Sequence, residues 1–135
     1  MAPEPTGLLV DTQLLLWWAI DPERLSPIAR SRLENRAEQL IFSVVSLWEV
    51  AIKASLGRPD FQVSAAALRQ GLLREGFREL VLEADHALAV QHLPWIHRDP
   101  FDRLLVVQAT LENLRLLSAD RTLLGYGAHV EWVQG

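Results

Sequence analysis

Four acidic residues stand where short apolar runs give way to turns or helix starts. Asp11 follows Leu8-Leu9-Val10, Glu49 lies just beyond the run Leu40–Val45, Asp102 falls inside His97-Arg-Asp-Pro-Phe-Asp-Arg-Leu-Leu105, and Asp120 follows Leu114–Leu117. Carboxylates that share a cleft repel one another and raise each other's pKa unless a cation offsets them. A hard divalent ion does this, and Mg²⁺ or Mn²⁺ suits an all-carboxylate site that keeps several waters. Such an ion activates water for attack on phosphorus. Each acid also has a local role open to it. Asp11 can cap the following helix, Glu49 can complete a capping box with Ser46 and pair with Lys53, Asp102 can answer a helix dipole, and Asp120 can cap a turn.

The stretch from His97 to Leu105 holds two carboxylates and two arginines at the opening of a helix. Asp99 is placed as the N-cap, Pro100 fits the first helical position, and Asp102 lies in the first turn, where carboxylates are favoured. Arg98, Arg103 and Arg121 border the expected cleft and can grip phosphates as planar forks. Thr12 and Ser46 stand beside the acids as further substrate-binding candidates, and both also suit capping. His86, His92, His97 and His129 lack the i, i+4 spacing of a helical metal pair, so no histidine site is expected. Trp17, Trp18 and Trp48 lie in apolar runs and are expected in the core, whereas Trp95, after Pro94, is expected at the surface.

These residues need a scaffold, and the apolar pattern supplies one. Leu8–Val10 reads as a buried strand feeding an apolar helix from Gln13 to Ile20, broken by Asp21-Pro22. Ser26-Pro27 opens a helix from Ile28 to Ala37, with Ile28, Ala29, Leu33 and Ala37 inward. A second strand, Leu40–Val45, is followed by a helix that Ser46 caps and Gly57 stops. A helix from Val63 to Leu73, begun by Ser64 and closed near Gly76, precedes a third strand, Phe77–Leu82. A short helix, Ala84–His92, carries Leu88 and ends at Pro94; the helix from Pro100 runs to Asn113. Leu114–Leu117 is a fourth strand, Arg121–Leu124 a helical turn closed by Gly125 and Gly127, and Val130–Val133 a last edge strand. Strand and helix in alternation give an α/β fold with a mostly parallel sheet, whose ligand site lies beyond the carboxyl ends of its strands.

Composition sets the outer bounds. The chain has 135 residues, half of them hydrophobic, which is ordinary single-domain size with a substantial core. It has no cysteine, which excludes a disulfide framework and thiolate-held zinc. A formal charge of −4 argues against a general polyanion-binding surface, so nucleic-acid contact would be local. The apolar runs fall far short of the roughly 20 residues of a membrane span, and the N-terminus has no basic leader region, so a non-exported, non-membrane protein is expected.

The same segments resemble those of PIN-domain proteins, and more narrowly the VapC-type toxins of bacterial toxin–antitoxin pairs. The matching pieces are Leu8-Leu-Val-Asp11-Thr12; Ser43-Val-Val-Ser-Leu-Trp-Glu49-Val-Ala-Ile-Lys53 with Leu56-Gly57; His97-Arg-Asp-Pro-Phe-Asp102-Arg-Leu-Leu; and Leu117-Ser-Ala-Asp120 with Tyr126-Gly127. The resemblance implies one PIN-like three-layer domain over residues 1–135, its central sheet flanked by helices, with residues 1–6 a flexible N-terminal segment. It implies a cytoplasmic, metal-dependent endoribonuclease in which Asp11, Glu49, Asp102 and Asp120 bind Mg²⁺ or Mn²⁺, acting as a homodimer and neutralised by a cognate antitoxin. The surfaces bearing Ile28 and Leu33, and Leu68 and Leu72, could form a groove for a partner helix. Where this branch commonly has His after Asp-Thr, the chain has Gln13, which cannot titrate near neutral pH. That departure is the one sequence feature favouring an alternative, a catalytically silent PIN-like module that binds RNA or protein.

Overall fold

In the computed structural model, which describes residues 3–135, the elements run β1 (Leu8–Val10), α1 (Thr12–Ile20), α2 (Pro27–Glu34), β2 (Leu40–Ser43), α3 (Val44–Ser55), α4 (Ala65–Arg74), β3 (Arg78–Leu80), α5 (Ala84–Ala89), α6 (Pro100–Leu111), β4 (Arg115–Ser118) and β5 (Val130–Trp132). Short 3-10 turns occupy Pro22–Arg24, Val90–His92 and Arg121–Tyr126. The five strands form one sheet in the order β3-β2-β1-β4-β5, and every ladder is parallel. β1 lies at the centre, with Leu9 opposite Ile41 on one side and Leu116 on the other. The chain moves outward from β1 in one direction and then returns to its other flank. The β1–β4 boundary is therefore the topological switch point, where an open α/β sheet leaves a crevice.

Alternation along the strands divides the core between the two faces. Leu8 and Val10, with Phe42 and Leu117, pack against Leu14, Leu15, Leu33, Leu68 and Leu72 on one face. Leu9, Ile41 and Leu116 pack against Val45, Leu105, Val106 and Ala109 on the other. Both faces are covered, which explains why the inner strands β1 and β2 are buried along their whole length. The turn after α3 needs Gly57 at φ +68°, and the turn before β5 needs Gly127 at φ +109°, conformations that a Cβ disfavours.

Several sequence expectations are corrected at this level. Helix α3 starts at Val44, because Ser43 ends β2 in extended geometry and its Oγ accepts from Val45 N at 3.0 Å. Ser43 is thus the cap, and the expected Ser46–Glu49 capping box does not form. Helix α2 stops at Glu34, and Ala29 and Leu33 alone make its inner stripe; Ile28 and Ala37 are exposed. Trp48 faces outward, 52% exposed, its ring edge-to-face with Phe101 at 5.0 Å. Trp17 and Trp18 are half-buried against the core, and Leu88 is exposed. Of the N-terminal segment expected to be flexible, Met1 and Ala2 lie outside the described residues. Farther along it, Asn113 Nδ2 donates to the carbonyls of Pro3 and Glu4, and Thr6 N donates to Asn113 O.

Candidate metal centre

Asp11 is the first residue beyond β1. Its Oδ1 accepts from Leu14 N at 2.9 Å, which caps α1. Its Oδ2 accepts from Ser118 Oγ at 2.6 Å and from Ala119 N at 3.2 Å, both from the end of β4. The capping and cleft-facing roles therefore coincide in one carboxylate. Burial pushes its pKa up to about 6, with Glu49 adding repulsion and the three donors partly offsetting the rise.

Asp102 is set by its neighbour. Asp99 Oδ1 accepts from Phe101 N at 2.8 Å and from Asp102 N at 3.3 Å, so Asp99 is the cap of α6 and Asp102 projects from the first turn. Burial, then the charges of Asp99, Asp11 and Glu49, raise the Asp102 carboxyl to about 7, against a lowering by His97. Asp120 follows β4 and accepts from Thr122 N at 3.0 Å and from His97 Nε2 at 2.7 Å. Burial would raise it, but those bonds and the histidine hold it below the ordinary carboxylate value.

Glu49 rises from the second turn of α3 and is buried. Its Oε2 pairs with Lys53 Nζ at 3.2 Å, one helical turn on. Its Oε1 is buried and has no hydrogen-bond partner among the described residues. A buried carboxylate oxygen without a donor is costly, and a cation is the partner that would satisfy it.

The four acids line one cleft of about 290 Å³ with Thr12, Gln13, Leu16, Trp17, Lys53 and Ala119. It opens at the carboxyl edge of β1 and β4. Thr12 Oγ1 donates to Ser46 Oγ at 2.8 Å; both are buried, so the pair ties α1 to α3 beneath the acids. Arg98 and Arg121 are exposed, with the Arg121 guanidinium 5.3 Å from the ring centroid of Trp132.

Arg103 does not border the cleft as expected. It is 3% exposed, and its guanidinium donates to the carbonyls of Val90, Leu93, Pro94 and His97 and to Tyr126 Oη, at 2.9–3.3 Å. One α-helical step from Asp102 rotates its side chain toward that loop, whose carbonyls it gathers.

His97 is the residue that sequence spacing missed. Its Nε2 lies 2.7 Å from Asp120 Oδ2 and 3.5 Å from Asp102 Oδ2, and one ligand atom from each of the three falls within 4.8 Å of the others. Its Nδ1 accepts from Asp99 N at 3.0 Å, which puts the proton on Nε2. In that tautomer His97 is a donor to the acids and has no lone pair to give an ion. The only sequence signal for it was its place in the same charged stretch, because its partner Asp120 is 23 residues away.

A parallel α/β sheet with acidic residues gathered at its switch point is the frame in which the chain compares with known proteins. The PIN domain model matches residues 8–127, and the chain belongs to the PIN-domain family. It is 30% identical over 119 residues to Ribonuclease VapC22 of Mycobacterium tuberculosis, covering 87% of this chain and 90% of that protein. Similar solved structures include VapBC2 from Rickettsia felis bound to a DNA fragment from its promoter, at a TM-score of 0.68 and 15% identity over 93% of this chain and 98% of that one. A toxin–antitoxin complex from Klebsiella pneumoniae matches at a TM-score of 0.63 and 20% identity over 93% and 96% of the two chains. These structures share the fold.

Proposed function

We propose that the protein is a metal-dependent endoribonuclease toxin, hydrolysing RNA phosphodiester bonds and neutralised by a cognate antitoxin. The observation that carries this reading is the cleft itself: four carboxylates from four separate segments, two of them with raised pKa values, and a buried Glu49 Oε1 without a donor among the described residues. The donor set fits a hard divalent cation such as Mg²⁺ or Mn²⁺. Asp11 and Asp102 are the first candidates to hold it, with Glu49 as ligand or water-orienting base and Asp120 acting through water. Bound there, the cation supplies Lewis-acid activation of water and offsets charge on the scissile phosphate.

The chain's own residues do the rest. Ser118 and Ala119 N–H fix the Asp11 carboxylate, and Asp99 fixes the turn that carries Asp102. His97 holds Asp120 through Nε2–H. Lys53 places a positive charge in the cleft, where it can meet a phosphate once Glu49 is otherwise engaged, and Arg98 and Arg121 offer exposed charge for the strand beyond. No protein nucleophile is required; attack by water with the 3′-oxygen as leaving group, as the family resemblance implies, would leave a 5′-phosphate and a 3′-hydroxyl.

The ribonuclease relative and the toxin–antitoxin complexes among the similar folds support an RNA substrate and an antitoxin partner. A homodimer and a cytoplasmic location belong to the same reading; no helix among the described residues is long and apolar enough to cross a membrane. The test is cleavage of a defined RNA by the purified protein. Cutting should require Mg²⁺ or Mn²⁺, stop with EDTA, and fall by at least about a hundredfold in Asp11→Asn and Asp102→Asn variants that keep their circular dichroism. Undiminished cutting by both variants overturns the reading, and RNA binding without any cutting favours the silent module.

A further inference from the structure

One prominent residue plays no part in this chemistry. Trp95, in the loop between α5 and α6, is 79% exposed, more than any other large apolar side chain among the described residues. The ring is nonetheless held in place. The guanidinium carbon of Arg103 lies 4.0 Å from its centroid, and that guanidinium is buried and bonded to four backbone carbonyls and Tyr126 Oη. One indole face is thus spent on a fixed cation, and the rest of the ring meets solvent.

The same clamp ties the Trp95 loop to a residue that touches the acid cluster. Arg103 Nη1 donates to both Pro94 O and His97 O, on either side of Trp95, and the His97 ring contacts Asp120. Two residues of chain reach at most about 7 Å, so the Trp95 backbone is close to that of His97. The electrostatics make a neutral contact valuable. The chain carries a formal charge of −4, and four acids line the cleft, so a phosphate backbone gains little from general attraction. A rigid aromatic face offers affinity independent of charge, and only an unpaired base can use it.

We propose that Trp95 is a stacking platform for an unpaired base of the RNA substrate, outside the acid cleft on the loop that leads to His97. This inference rests on the ribonuclease reading above.

The test uses full-length Asp102→Asn protein in Mg²⁺ buffer, with a fluorescein-labelled 12-nucleotide single-stranded RNA and the same sequence as a duplex. Adding Trp95→Ala should weaken single-strand binding about tenfold or more, the range measured for one stacked base, while Trp95→Phe stays within about threefold of its parent. Duplex binding should be weak in the parent and unmoved by either change. In cleavage-competent protein, Trp95→Ala should raise KM and leave kcat within about twofold, with a melting temperature close to the parent's. Equal binding by the Trp95→Ala protein overturns the platform, as does failure of the Asp102→Asn protein to bind RNA. A shift of Trp95→Ala in sedimentation velocity without a change in RNA affinity also overturns it, and marks a protein interface instead. If the parent cuts no RNA, the ribonuclease reading fails, and the binding comparison still decides the fate of Trp95.

Discussion

Ser118 Oγ donates to Asp11 Oδ2 at 2.6 Å across the β1–β4 boundary, and the same hydroxyl oxygen accepts from Asp120 N at 3.0 Å. One serine therefore orients the most buried acid of the cleft and the backbone of another. Ser118 is fully buried, so its replacement by Ala leaves both partners short of a bond. A lost hydrogen bond to a charged group costs about 1.5–3 kcal/mol. Ser118→Ala should lose stability of that order in denaturant titrations at pH 8. Its cleavage rate should fall about tenfold, with a higher metal concentration needed for half-maximal activity.

Asp102 yields a stability prediction of unusual sign. The folded protein keeps its proton up to about pH 7, whereas the unfolded chain releases it near 3.8. The unfolded state therefore binds fewer protons between those values, and stability falls as pH rises. Asp102→Asn removes the charge while keeping the shape. In EDTA at pH 8 this variant should melt several degrees above the parent, although it is inactive; at pH 4 the two should melt alike.

The same linkage governs the parent with and without cation. Asp11, raised to about 6, adds to the Asp102 effect; Asp120, held low, acts oppositely, and its contribution is lost only on acidification. Metal-free protein should thus be less stable at pH 8 than at pH 5.5. Mn²⁺ should raise the melting temperature strongly at pH 8 and little at pH 5.5, where it competes with protons for Asp11 and Asp102. Scanning calorimetry at the two pH values, with and without EDTA, measures both effects.

Arg103 should prove a scaffold residue. Its guanidinium satisfies four carbonyls of the segment from Val90 to His97, and Lys cannot reproduce that fork. Arg103→Lys should cost about 1.5–3 kcal/mol, the range for lost hydrogen bonds to a charged group. Hydrogen exchange should speed up at Leu93 and Ile96–Asp99 well before it does in β1 or β4.

Much of the fold was legible in the sequence because the central strands β1, β2 and β4 lie in apolar runs, with a polar residue of distinct local role at or just past the end of each. Asp99 and Asp102 could be told apart for the same reason, since Pro100 fixes where the helix begins. The failures share a different cause. Ser43 and Ser46 both precede apolar residues, and which of them caps α3 depends on where pairing with β1 and β3 ends β2. Arg98 and Arg103 look equivalent until the loop that packs on one of them is known. Trp48 sits in an apolar run yet on the outer side of α3, where Phe101 from α6 covers only part of it. In each case the decision lies with residues distant in sequence.

That dependence on distant residues has a consequence for the chain while it is being made. Asp11 and Ser118 are separated by 107 positions, and β4 completes the crevice against the first strand. A nascent chain that has emerged only as far as α6 already contains Asp11, Glu49 and Asp102, but it lacks the Ser118 and Ala119 donors to Asp11 and lacks Asp120. The acidic cleft thus closes only after β4 has joined the sheet, so a chain that has not yet reached β4 has no assembled four-acid site.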